Sequence, residues 1–284
     1  MSSAEIPLLA RLRVRFPESS GRRLRQWLAT GRVRVNDHVV RDGRAPVGPA
    51  DHVILNSHAA PDFPDRLRLV YEDDTLLVID KPPGLLTIAT DTERNQTAYR
   101  LLWGYLARQH PSQRPFIVHR LDQETSGLLL VAKSPAAKRH LQAQFEGRAV
   151  ERIYVAVVEG LVQLDQGTLE SWLAQGRGLR VRSTRDPSVS RRAITHYRVL
   201  ERRRDVTVLE LSLGTGRRRQ IRVQLADLGH PIVGDLAHGS RRNPLRRLCL
   251  HATRLAVVHP ATATRVRFES PSPAGFSRVG GRRL

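Results

Sequence analysis

Cysteine, lysine, aromatic side chains and negative charge are all scarce in this 284-residue chain. The single cysteine, Cys249, excludes an intramolecular disulfide and fits a reducing compartment. There is no Cys-x-x-Cys and no His-Glu-x-x-His, so no metal site is expected among the 11 histidines, and Cys249 and His251 read as neighbours along one strand. No apolar run approaches the roughly 20 residues that a membrane helix needs. The opening "MSSAEIPLLARLRVRF" places charges where a signal peptide would be apolar and lacks a small-residue cleavage site, so a cytoplasmic protein is expected. Acidic residues number 27 against 47 basic ones, a net charge of +20, and all the basic residues except Lys81, Lys133 and Lys138 are arginine. That surplus favours polyanionic partners, nucleic acid ahead of anionic membrane. GC-rich coding also enriches arginine, so the charge supports a phosphate-rich partner without identifying one.

What is present divides into two units. In residues 1–57, Ser19 or Ser20 is placed to cap a helix carrying Leu24, Trp27 and Leu28 at i, i+3, i+4 spacing, with Gly31 at its end. "RVRVNDHVV" then alternates as a hairpin strand with an Asn36-Asp37 turn, and a short strand follows at 51–55. Arg22, Arg23 and Arg25 lie on the helix's polar side, and Arg32 and Arg34 alternate with valines. Residues 58–66 read as a Pro- and Asp-rich linker, 67–270 as a mixed α/β-patterned domain, and 271–284 as a basic, partly disordered tail. Within the large domain, Ser134, Pro135 and Gly147 punctuate a helix over 134–147, and strands are expected at 153–158, 193–200 and 206–213. "TGRRRQIRVQLADLGHP" reads as a turn entering a helix that ends at Gly229. Residues 171–192, arginine-rich and weakly patterned, read as a mobile insert on the binding face.

On pattern alone, Asp122 in "HRLDQETSG" is a turn residue and Arg120 a solvated charge. Three stretches together change that reading. "HRLDQETSGLLLVAK" (119–133), "DKPPGL" (80–85) and "TGRRRQIRVQLADLGHPIVGD" (215–235), with Tyr154, Ala156, Val158 and Gly160 and the closing "LHATRLAVVHP" (250–260), resemble the RluA family of pseudouridine synthases over about residues 66–262. "SGRRLRQWLATGRVRVND" (20–37) resembles the αL RNA-binding fold first named from small-subunit ribosomal protein four.

The resemblance implies an α+β fold: a mixed, largely antiparallel sheet with flanking helices, plus a small N-terminal α/β RNA-binding domain. It implies an isomerase that converts uridine in RNA to pseudouridine without a cofactor. By the same resemblance Asp122 is the catalytic carboxylate, as nucleophile or as base. Arg222 pairs with it, Arg120 fills the space left by the extruded base, and Tyr154 stacks on that base. Leu128 and Leu129 wall the pocket or pack beneath it. RNA contact is assigned to Arg22, Arg23, Arg25, Arg32 and Arg34 and to Arg217 and Arg219 of the arginine run, with Thr215 and the amides after it open to phosphate. Arg219 and Gln224 stand where the family has histidines, and Glu151 where a lysine is common, which bears on RNA choice more than on chemistry. His119 and Ser126 disfavour the neighbouring branch with "GRLD" and "TEG". The N-terminal unit favours large-subunit ribosomal RNA. Transfer RNA as substrate, and a non-catalytic RNA-binding or ribosome-assembly protein, are the alternatives. A monomer is expected.

Overall fold

In the computed structural model the described residues are 5–36, 38–56, 63–176, 181–186 and 188–281. The N-terminal unit contains β1 (Ile6–Pro7), α1 (Leu8–Arg15), α2 (Gly21–Ala29), β2 (Val33–Val35), β3 (His38–Val39), β4 (Pro46–Val47) and β5 (Val53–Leu55). Ser20 is the cap of α2, its hydroxyl accepting from the Arg23 amide at 3.2 Å. Leu24, Trp27 and Leu28 then bury one face against Leu8, Leu12, Val33, Val47 and Val53, a core of the unit's own. Strands β3, β2 and β5 form a small antiparallel sheet and β1 pairs with β4. Asp37, half of the expected turn, lies outside the described residues.

The large unit begins with residues that the composition assigns to a linker. Phe63 packs edge-on against Tyr105 with ring centres 4.7 Å apart, and Leu67 is buried. Its strands are β6 (Arg68–Glu72), β7 (Leu76–Lys81), β8 (Phe116–Ile117), β9 (Ser126–Ala132), β10 (Glu151–Glu159), β11 (Gln166–Gln175), β12 (Val181–Ser183), β13 (Arg191–Arg202), β14 (Val206–Leu213), β15 (Leu250–Val258) and β16 (Arg265–Glu269). Among the described residues three α-helices accompany them: α3 (Ala98–Gln109), α4 (Pro135–Glu146) and α5 (Gln220–Asp227). All eleven strands join one sheet in the order β12-β11-β13-β14-β10-β15-β9-β7-β6, with β8 on β9 and β16 on β15. The β15–β9 pairing is parallel and the other pairings are antiparallel, so the fold is α+β around a mixed, largely antiparallel sheet.

The "LLLVA" run of β9 follows from burial on both faces. Leu129 and Val131 face one core cluster with Leu77 and Ile79 of β7, while Leu128 and Leu130 face a second with Leu76 and Val78. The first cluster underlies the site described below. The parallel β15–β9 step requires glycine at 127, where φ is +111° and a Cβ would lie 2.3 Å from the Ala252 carbonyl oxygen.

Two expectations are corrected. Much of segment 171–192 is sheet rather than a mobile insert: β11 pairs with β13, β12 folds back on β11, and Leu173 and Val181 pack with Ala193 and Val223. One face of this hairpin meets solvent and Leu173 is the only fully buried side chain of β11, so the sequence pattern is faint. Residues 177–180 and 187 are outside the described set. Second, the C-terminal segment is packed as far as Val279. Phe276 and Val279 are buried, and their carbonyls accept from Arg203 Nη1 at 2.7 and 2.8 Å. Helix α4 has the expected start at Ser134 and Pro135 and the expected end at Gly147, its C-cap, which is right-handed (φ −73°), with the left-handed position on Arg148 (φ 58°).

Candidate active site

Residues 118–125, between β8 and β9, form the loop that carries Asp122. It is held from beneath by the turn after β7. The fully buried Lys81 donates from Nζ to the carbonyls of Pro82, Leu85 and Gln123 at 2.9, 2.8 and 3.2 Å, and the Gly84 amide also donates to Gln123 O. Thr87 Oγ1 donates to Leu121 O and accepts from Leu121 N, at 2.8 and 3.2 Å. Burial pushes the Lys81 ammonium down to about 7, against the opposing pull of Asp122 and Glu124. "DKPPGL" is therefore the clamp under the Asp122 loop.

His119, first residue of "HRLD", is neutral. Its Nε2 accepts from the Leu130 amide at 3.0 Å, its ring stacks on Phe145, and burial together with the Arg152 cation pushes it down to about 3. It holds the loop to β9, and protonation would break that bond.

The carboxylate of Asp122 is 18% exposed, and Arg222 Nη1 approaches its Oδ2 at 3.7 Å. Arg222 is otherwise occupied, more tightly than the expected simple pair. Nε and Nη2 donate to the two oxygens of Asp235 at 2.7 and 2.8 Å, and Nη1 donates to Glu124 Oε2 at 2.9 Å. Asp235 also accepts from His238 Nδ1 at 2.9 Å and is 1% exposed. Burial alone would lift its carboxyl; hydrogen bonds and charge from Arg222 and His238 hold it at about 2. Asp235 thus fixes the guanidinium plane, leaving the Nη1 edge toward Asp122. Neither Asp235 nor Glu124 was expected from the sequence, although Asp235 closes the third stretch and Glu124 lies two residues after Asp122.

Asp122 opens into a cavity of about 670 Å³, within the ordinary range for ligand sites of roughly 300–1,000 Å³. Arg120, Tyr154, Arg217, Arg219 and Arg222 line it with Asp122. Tyr154 arrives from β10 at a register shift against β15 between residues 153 and 154, an irregularity of the kind that re-aims side chains. Burial raises its hydroxyl to about 12, with Arg152 and Asp122 acting in opposite senses. The apolar wall includes Leu121, Leu213, Ile221 and Leu250; Leu128 and Leu129 lie in the core. Chemically, this is an ion-paired carboxylate in a cavity with an apolar wall, an aromatic ring and a cationic rim. It can hold a planar base and present a charged oxygen to the sugar attached to it.

Several departures now have positions. Gln224 is inside: its side chain accepts from Thr195 Oγ1 at 2.6 Å and donates to Ser171 Oγ at 2.9 Å, so it serves packing. Thr215 is buried, donating to Gln220 Oε1 at 2.7 Å and accepting from the Ile194 amide, and Gln220 Oε1 also accepts from the Arg217 amide. These groups are not open to phosphate. Glu151 does not reduce the charge of the cavity, because it pairs with Arg265 and Arg254 while the next residue, Arg152, is the one that lines it. In the N-terminal unit Arg22, Arg23 and Arg25 are exposed, and the guanidinium groups of Arg23 and Arg32 lie 5.4 and 5.5 Å from the Trp27 ring centre.

Comparison with known proteins gives the family. The family model described as RNA pseudouridylate synthase matches residues 75–227. The chain is 37% identical to "Ribosomal large subunit pseudouridine synthase D" of Pseudomonas aeruginosa, over 92% of this chain and 87% of that one. It is 36% identical to "Uncharacterized RNA pseudouridine synthase YlyB" of Bacillus subtilis, over 90% and 87%. The solved structure "Human RNA Pseudouridylate Synthase Domain Containing 1" superposes with a TM-score of 0.61 at 27% identity, covering 75% of this chain and 86% of that one. On sequence and fold together, the chain belongs to the RNA pseudouridylate synthase family, whose members are isomerases.

Proposed function

We propose that this protein isomerises specific uridines of large-subunit ribosomal RNA to pseudouridine, with Asp122 as the reactive carboxylate. The observation that carries the reading is the placement of Asp122 beside the anchored Arg222, together with Tyr154, in one arginine-rimmed cavity. The ribosomal substrate is supported by the name of the Pseudomonas relative. In the reaction the bond from uracil N1 to the ribose is broken and a bond from C5 is made, C5 losing a proton and N1 gaining one. Nothing is oxidised and no group leaves the molecule.

The uridine must leave its stack before a carboxylate can reach its sugar. Arg120, exposed at the rim, takes the vacated place, and the Tyr154 ring stacks on the extruded base, a contact worth about 1–3 kcal/mol. Asp122 acts ionised whether it attacks the sugar or takes a ribose proton, and Arg222 stabilises that charge against the apolar wall. The N-terminal unit is an RNA-binding module of the αL type. Arg22 and Arg25 are exposed on α2, and Trp27 supports Arg23 and Arg32, so that several cations share one small surface. Arg217 and Arg219 extend the basic surface at the cavity itself.

The test is pseudouridine mapping of total RNA from cells with the wild-type gene, without it, or with only Asp122→Asn. A ribosomal position that is modified in the first and unmodified in the other two is expected. Persistence of that modification with Asp122→Asn refutes the assignment.

A further inference from the structure

Buried arginines in this fold are, as a rule, fully engaged. Arg222 meets three carboxylates, and Arg203 bonds two carbonyls and the carboxylate of Glu201. Two arginines of the cavity depart from this. Arg152 projects from β10 with its guanidinium 5.7 Å from the Phe145 ring centre, and donates from Nη2 to Leu213 O at 3.3 Å. Its Nε is buried without a hydrogen-bond partner, and so is the Nε of Arg218. Among the described residues neither side chain forms an ion pair with a carboxylate.

Arg152 lies against the backbone of the turn that follows β14. Arg152 Nη1 lies so close to Gly216 that a Cβ on that residue would be 2.5 Å away. A side chain at 216 would require the guanidinium to shift, and the glycine lets Arg152 approach the same turn that carries Arg218. Burial lowers the pKa of both arginines; for Arg218 the neighbouring Arg120 and Arg219 add to it more than Asp122 and Glu124 oppose it. A folded chain gains nothing by holding two half-buried guanidinium groups with idle donors, unless an anion completes them.

We infer that Arg152 and Arg218 form a phosphodiester subsite, which binds a backbone phosphate flanking the nucleotide whose base enters the cavity. The inference rests on the RNA-modifying reading above. A guanidinium presents planar, directional donors suited to phosphate oxygens. One such contact on each side of Gly216 would hold the extruded nucleotide by its backbone while Tyr154 holds its base.

The experiment uses the full-length protein and synthetic RNA stem-loops spanning the mapped uridine. Each flanking phosphate is replaced in turn by a neutral methylphosphonate. With all-phosphate RNA, Arg152→Gln and Arg218→Gln are each expected to lower kcat/KM by about tenfold to a hundredfold, the usual scale for a charge-assisted hydrogen bond. One neutral linkage should cost the wild type a similar factor and cost at least one variant almost nothing further. Arg152→Lys should recover part of the loss. The thermal midpoint of Arg152→Gln should equal or exceed that of the wild type, since the change removes a buried charge that no carboxylate meets. If every linkage costs each variant as much as it costs the wild type, the subsite is overturned although the enzyme works. A marked drop in the thermal midpoint with the same additive losses assigns Arg152 to structure and also overturns it. If the wild type modifies no RNA, the functional reading fails and the subsite fails with it.

Discussion

Asp235→Asn isolates the part played by the buried anchor of Arg222. The substitution keeps the shape of the side chain and one hydrogen bond, but removes the charge that faces Nε and Nη2 at 2.7 and 2.8 Å. Breaking a buried ion pair costs about 3–5 kcal/mol. Glu124 still meets Nη1, which places the expected loss near the lower bound, about 3 kcal/mol. At roughly 2–4 °C per kcal/mol for a chain of this size, the thermal midpoint should fall by about 6–12 °C. The freed guanidinium no longer holds its edge toward Asp122, so kcat should fall by about tenfold to a hundredfold. KM should change little, because Asp235 does not line the cavity. The pH dependence adds a third readout. The folded carboxyl is held at about 2, below its ordinary 3.8, so its contribution is complete above about pH 4 and is lost as the pH falls through 2. The gap corresponds to about 2 kcal/mol, and Asp235→Asn should remove that slope from urea-denaturation free energies measured between those pH values. A variant that melts within about 2 °C of the wild type, or that loses stability with kcat unchanged, would refute the anchoring role.

Two further outcomes follow from the same geometry. Tyr154→Phe keeps the ring and should retain kcat/KM within about threefold, whereas Tyr154→Ala should lose about tenfold to a hundredfold by loss of stacking. Equal damage from both in steady-state assays would mean that the hydroxyl matters rather than the ring. Gly127→Ala introduces a Cβ 2.3 Å from the Ala252 carbonyl oxygen at a φ of +111° and should destabilise by more than about 4 kcal/mol. A urea midpoint close to that of the wild type would show that β9 and β15 can separate there without loss.

Much of the local structure was legible in the chain because its causes are local. Ser20 and Ser134 are read as caps since a cap bonds an amide three residues away, as both do here. The alternation of β13 shows because its buried positions, Ala193, Thr195 and Tyr197, fall at every second residue. The β11–β12 hairpin was missed for the opposite reason, since few of its side chains are buried. The C-terminal segment was misread because Phe276 and Val279 are isolated apolar residues in a polar, Gly- and Pro-containing stretch.

For the site, the division lies between identity and partnership. Sequence by itself determined the residue identities that carry the family resemblance: Asp122, Arg120, Tyr154 and Arg222 are singled out by it rather than by local pattern, and all four line one cavity. Tertiary structure alone decided what each one meets. Arg222 reaches Glu124 across 98 residues of chain, Lys81 reaches Gln123 across 42, and the idle donors of Arg152 and Arg218 exist only because no carboxylate is folded against them. Helix and strand patterns record which face of a segment is buried. They carry no record of which distant charge a buried guanidinium will find, because that distance is set by the packing of the whole sheet.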